Sequence, residues 1–105
     1  MKVLLTTEAE GDLERIGDYI ALDNPRRALS FVLELRDACM SLANLHLAFP
    51  LVSRYAHSGI RRRVHENYLI FYRIEAEHVV IIHVLHGAMD YTSVLFPQEK
   101  NNTLG

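Results

Sequence analysis

Apolar residues recur at helical spacing through the first half of the chain and in short, dense runs through the second half. Lys2 to Thr6 is apolar and partly β-branched, which predicts a first strand. Thr7-Glu-Ala-Glu10 then has the form of a capping box, and Ala9, Leu13, Ile16 and Ile20 follow at spacings that put one apolar stripe inward. Glu10, Glu14 and Asp18 fall on the solvent side, and the helix is expected to end near Asp23. Asn24-Pro25 closes it and opens the next, with Asn as N-cap and Pro at the first helical position. The second stripe runs through Ala28, Phe31 or Val32, Leu35, Cys39, Leu42 and Leu45, which predicts a helix of about twenty residues. With almost no linker between them, the two helices form an antiparallel hairpin.

Beyond Phe49-Pro50 the pattern changes to strands at Ile60 to His65, Tyr68 to Ile74 and Val79 to His86. The connections, Glu66-Asn67 and Glu75-Ala-Glu-His78, are short enough only for antiparallel hairpins, so the three strands form a meander. The last run is almost continuously apolar, as a central strand covered on both faces would be. The predicted class is α+β: an N-terminal strand and an antiparallel two-helix hairpin packed on an antiparallel sheet with a C-terminal three-stranded meander. One domain is expected over residues 1–97, followed by a frayed polar tail at 98–105.

Composition narrows the class. A chain of 105 residues, 50% hydrophobic, supports one core. Cys39 is the sole cysteine and sits in a helical pattern, so it reads as a small buried hydrophobe and not as a nucleophile or half of a disulfide. No leader and no membrane-length apolar run is read, which places the expected protein in the cytoplasm. The formal net charge of −2 argues against global attraction to nucleic acid. The charges are unevenly placed: Glu8, Glu10, Asp12, Glu14 and Asp18 crowd the first helix, whereas Arg61-Arg62-Arg63 forms a local basic run.

Parity along the strands sorts the candidate chemistry. A two-residue turn at Glu66-Asn67 sets His65 opposite Tyr68, Arg63 opposite Ile70 and Arg61 opposite Tyr72, all on one face. That face could grip a phosphate; the plainer expectation is a solvated surface with tyrosines covering arginine stems. Arg62 goes to the other face with Ile60 and Val64 and is expected to be partly buried. His83 and His86, three apart on a strand, are expected on opposite faces, so no metal site is predicted and no cofactor is called for. His86, near Asp90 and Tyr91, is expected to hydrogen-bond within the turn that ends its strand.

The order β-α-α-β-β-β, with Ala9, Asp12-Leu13, Ile16, Tyr19-Ile20, Asn24-Pro25, Ala28, Leu42, Pro50, Ile60-Arg61, Tyr68-Leu-Ile-Phe-Tyr72 and Val84-Leu-His-Gly87 with Asp90, resembles the RelE/ParE family of toxins from type II toxin–antitoxin modules. The closing His-Gly pair favours the ParE branch. The resemblance implies a toxin neutralised by a cognate antitoxin that wraps it, with operator DNA reached only through the antitoxin and no membrane partner. A ParE-like member poisons DNA gyrase and has no enzymatic activity of its own; a RelE-like member is a ribosome-dependent mRNA endonuclease. RNA cleavage needs a base, an acid and a cation at the phosphate, and Arg61, Arg63, Tyr72 and His86 are the residues that would serve. Met89 stands where family members commonly carry a basic residue, which speaks against nuclease chemistry and raises a third possibility, an inactive homologue kept as an antitoxin-binding co-repressor. Contacts with target or antitoxin are expected from Arg61, Arg63, His65, Tyr68, Tyr72, Met89, Asp90 and Tyr91, and from Tyr19 and Phe31 on the helices.

Overall fold

In the computed structural model, which describes residues 1–97, the chain runs β1 (Lys2–Leu5), α1 (Thr7–Ala21), α2 (Pro25–Met40), α3 (Leu42–Leu45), a 3-10 segment (Ser53–Ser58), β2 (Arg61–His65), β3 (Tyr68–Glu75), β4 (His78–His86) and α4 (Tyr91–Leu95). The expected tail at 98–105 lies outside the described residues. The α+β class holds, with one refinement: the four strands lie in the order β1-β4-β3-β2, and β1 pairs parallel to β4, so the sheet is mixed. Parallel partners need a long crossover, and the helix hairpin supplies it.

Local chemistry fixes the ends of the helices. The hydroxyl of Thr6, one residue before the predicted cap, accepts from the Ala9 amide and opens α1. Asn24 caps α2 through the Arg27 amide, with Pro25 at the first position. The predicted long second helix breaks at Ser41, whose hydroxyl turns back to the Ala38 carbonyl, and only one further turn, α3, follows. Where α1 crosses α2, a Cβ on Gly17 would stand 3.1 Å from Val32 Cγ2, so the helices approach as closely as they do because that position is glycine.

Two cores sandwich the sheet. On one face Ala9, Leu13 and Ile16 of α1 and Phe31, Leu35 and Cys39 of α2 pack on Ile70, Tyr72, Val79, Ile81 and Val84. On the other, Val52, Tyr55 and Phe96 cover Leu69, Phe71 and Leu85, with Tyr55 stacked on Phe96 at 4.0 Å. Cover on both faces explains the near-continuous apolar run of β4. Burial of about 25 cal/mol per Å² of apolar surface makes these two layers the main stabilising term. The short α4 that completes the second layer carries no periodic signal long enough to be read from the sequence.

The β2–β3 register is the one the turn length predicts: Arg61 opposite Tyr72, Arg63 opposite Ile70 and His65 opposite Tyr68. The β3–β4 ladder departs from simple alternation. Phe71 pairs with His83 but Tyr72 pairs with Ile81, leaving a β-bulge at Ile82. As a result Ile81 and Val84, three apart, both face the helices.

Candidate functional site

The face carrying Arg61, Arg63, His65, Tyr68 and Tyr72 is not a solvated surface: it is the face on which the helices pack. Phe31 and Tyr72 are buried at 5% and 0% exposure, so neither is available to a partner or to RNA. Tyr72 donates its phenolic hydrogen to the His46 carbonyl at 2.8 Å. Burial pushes its pKa up, against the opposing pull of Arg61 and Arg63, so the phenol stays protonated.

The guanidiniums are spent on backbone carbonyls at the ends of the helices. Arg63 donates to the Ala38 carbonyl at 2.9 Å and to Ser41 Oγ at 2.6 Å, and its guanidinium lies 4.8 Å from the centre of the Phe49 ring. The last carbonyls of a helix are orphan acceptors at the negative end of its dipole, and a cation there satisfies both needs. Arg61 holds the Phe49 carbonyl at 2.7 Å and so pins the loop after α3. Arg62, on the opposite face as expected and partly buried, donates to the Tyr91 hydroxyl at 3.3 Å. At the hairpin end, His65 packs 5.8 Å from the Phe31 ring with its Nε2 buried, 3.9 Å from Glu34. Glu34, His65 and Glu66 bring three donor atoms within 4.8 Å of one another, but Arg27 bridges both carboxylates and supplies the cation there.

The second polar centre centres on Asp12, the one buried charged residue among the described residues. Its Oδ2 accepts from the Val84 amide at 2.9 Å and lies 2.8 Å from His83 Nδ1, while Oδ1 accepts from Arg15 at 2.6 Å. An ionised carboxylate oxygen can only accept, so Nδ1 is the ring nitrogen that donates to Asp12. Asp12 reaches His83 from α1 beyond the end of β1, whose pairing with β4 stops at Ile81. The register keeps His83 opposite Phe71 and His86 opposite Tyr68, on different faces as expected, yet both rings line one cleft. The sequence carried one signal for Asp12. It stands at a stripe position, three after Ala9 and four before Ile16, where an apolar residue is expected.

That cleft, about 350 Å³, lies between α1 and the end of β4. Ile16, Tyr68 and Leu85 contribute its apolar wall, and Tyr19 and Met89, 67% and 43% exposed, stand at its rim with Arg15. Tyr68 sits edge-on to His86 at 5.1 Å, and burial, with Tyr19 adding to it, pushes the Tyr68 pKa up. His86 accepts from the Ala88 amide at 3.0 Å, the strand-end hydrogen bond that was expected. Asp90 accepts from Thr92 and Ser93 at 2.8 and 2.6 Å and fixes the start of α4, and Tyr91 packs on Phe71 across the sheet. The fold thus brings Tyr19, Tyr68, His86 and Met89 together. Arg61, Arg63 and Tyr72 do not line this cleft.

The cleft suits an apolar or aromatic side chain with a polar group beside it, as a protein partner would offer. Cys39 supplies no nucleophile: burial pushes its thiol up to about 12. No helix among the described residues is long and apolar enough to cross a membrane.

The family model for the ParE toxin of the type II toxin–antitoxin system parDE matches residues 3–91. The chain belongs to this toxin family. Among solved structures, the chromosomal ParDE toxin–antitoxin system from P. aeruginosa superposes with a TM-score of 0.62 at 18% identity, covering 82% of this chain and 95% of that one. The toxin–antitoxin complex RelBE2 from Mycobacterium tuberculosis gives a TM-score of 0.58 at 30% identity, covering 81% and 95%. No curated protein matches the sequence significantly. The protein is thus a RelE/ParE-type toxin of a toxin–antitoxin module, and its partner is a cognate antitoxin.

Proposed function

We propose that the toxin acts as a ParE-like inhibitor of DNA gyrase in the cytoplasm, without catalysing a reaction itself. The antitoxin neutralises it by covering the surface that includes the Tyr19–Met89 cleft, and links it to operator DNA only indirectly. The observation that supports this reading is the commitment of the phosphate-handling residues elsewhere: Tyr72 is buried on the His46 carbonyl, and Arg61 and Arg63 are bound to helix-end and loop carbonyls. A group that must receive a phosphate or pass a proton has to be within hydrogen-bond reach of substrate. The net charge of −2 also lends no attraction to ribosomal RNA.

A second reading, a ribosome-dependent mRNA endonuclease using Arg61, Arg63, Tyr72 and His86, draws on the 30% identity to the RelBE2 complex. The two separate in parallel assays of the purified protein. Gyrase supercoiling is expected to be inhibited, and messenger RNA on translating ribosomes is expected to stay intact. Ribosome-dependent cleavage with normal supercoiling would replace the first reading by the second.

A further inference from the structure

Three metal-ligating side chains from separate elements converge where the tip of the β2–β3 hairpin meets α2. Glu34 comes from α2, His65 from the last residue of β2 and Glu66 from the turn, and one donor atom of each lies within 4.8 Å of the other two. His65 Nε2 stands 3.9 Å from Glu34 Oε1. Tetrahedral ligands held by bonds of about 2.1 Å are about 3.4 Å apart, so the donors need to close in by at most about 1.4 Å. Both glutamates are exposed enough, at 42% and 57%, to make that adjustment by turning their side chains.

Arg27 satisfies this cluster only in part. Its guanidinium pairs with Glu34 and, at 3.3 Å, with Glu66, one positive charge against two negative. It leaves out His65, whose Nε2 is buried without a hydrogen-bond partner among the described residues. A buried ring nitrogen left unpaired carries a desolvation cost that coordination through its lone pair removes. Glu66 bears a cost of its own: its φ of 53° lies in the left-handed region, where a hairpin turn favours glycine, yet the position keeps a carboxylate beside His65. The arginine also has space to move into. It lines a cavity of about 330 Å³ next to the cluster, together with Phe31, whose ring centre already lies 4.9 Å from the guanidinium.

We propose that Glu34, His65 and Glu66 bind a zinc ion, with water as the fourth ligand, and that Arg27 is a displaceable cation that yields the carboxylates to the metal and turns onto Phe31. An imidazole nitrogen in the ligand set selects zinc over magnesium and calcium, which take oxygen ligands. A dication balances both carboxylates, and the exposed glutamates give it a path in from solvent. The bound ion ties the hairpin tip to α2 beside Tyr68 and His86, which line both the neighbouring cavity and the Tyr19–Met89 cleft. The site does not depend on the toxin reading.

The test titrates zinc into the untagged, chelator-stripped full chain by calorimetry in a non-coordinating buffer, and follows the imidazole nitrogens of the isotope-labelled protein by NMR. One zinc per chain is expected, with the His65 Nε2 resonance moving and those of His83 and His86 unchanged. His65→Phe, which keeps a ring against Phe31, and Glu66→Gln should each weaken binding by about tenfold or more. Arg27→Gln should tighten it by about tenfold, because the competing cation is gone. Zinc should raise the thermal midpoint of the wild type but not that of Glu66→Gln, an exposed change that spares the core. Magnesium in large excess should not compete. No saturable binding, unchanged affinity in His65→Phe and Glu66→Gln, weaker binding in Arg27→Gln, or resonances moving at His83 and His86 instead would each overturn the site.

Discussion

Arg61 and Arg63 stand half-buried on an edge strand and reach across to the ends of the helices, whereas Asp12 sits buried on α1 and reaches down to the middle of the sheet. Both sets tie the helix hairpin to the strands through backbone groups. The arginines keep contact with water, so the desolvation they suffer is small and each carbonyl they hold could fall back on solvent. Asp12 has no such fallback. Its Oδ2 satisfies a strand amide and an imidazole at once, at the wall of the cleft. Charge at a half-exposed position adjusts the fold; charge in the core is a condition of it.

That contrast predicts a graded series. Asp12→Ala should have the largest effect, about 3 kcal/mol of lost stability, because it strands the buried Val84 amide and the His83 ring. Chemical denaturation measures it, and Asp12→Asn, which keeps an acceptor, should lose clearly less. A loss under 1 kcal/mol for Asp12→Ala would erase the distinction between the two centres.

Alkaline titration probes the arginine-bound end of α2, where Cys39 lies under the influence of Arg36 and Arg63. The unfolded thiol ionises near 9.0 and the folded one near about 12, so the folded state keeps a proton that the unfolded state releases. The associated stability is whole below pH 9 and falls as pH rises toward 12, by about 1.4 kcal/mol per pH unit. Cys39→Ala should flatten that slope, and the wild-type thiol should resist alkylation in the native state near pH 8.

Smaller effects belong to the arginine face itself. Arg63→Met, which keeps the apolar stem, should cost about 1–2 kcal/mol through the uncapped Ala38 carbonyl. Tyr72→Phe should cost about 1 kcal/mol, since only its hydrogen bond to the His46 carbonyl is lost. If Tyr72→Phe abolished growth arrest while leaving stability nearly intact, the phenol would have a chemical role that its burial argues against.

Much of the fold was legible because it rests on local rules. The Asn24-Pro25 boundary, the helical stripes and the two-residue turn at Glu66-Asn67 each follow from neighbouring residues, and the turn alone fixed the β2–β3 register. The cleft was legible only in part. Tyr19, Tyr68, His86 and Met89 read from the sequence as scattered positions, and nothing local joins Asp12 and His83 to them. Phe31 and Tyr72, expected as contact residues, are core, since an aromatic at a strand or helix position reads alike whether its face is wet or packed.

By itself the sequence determined which residues share a face, where the helices begin, and the order of elements, because these depend on backbone periodicity and on chemistry a few residues apart. Tertiary structure alone decided which face of the sheet the helices cover. It also decided that β1 would join in parallel, that a bulge at Ile82 would put Ile81 and Val84 on one face, and that His83, held by Asp12, would line the same cleft as His86. Alternation along a strand fixes relative sides only, and one extra residue reverses it; packing of the hairpin against Asp12 and the sheet selects the absolute side.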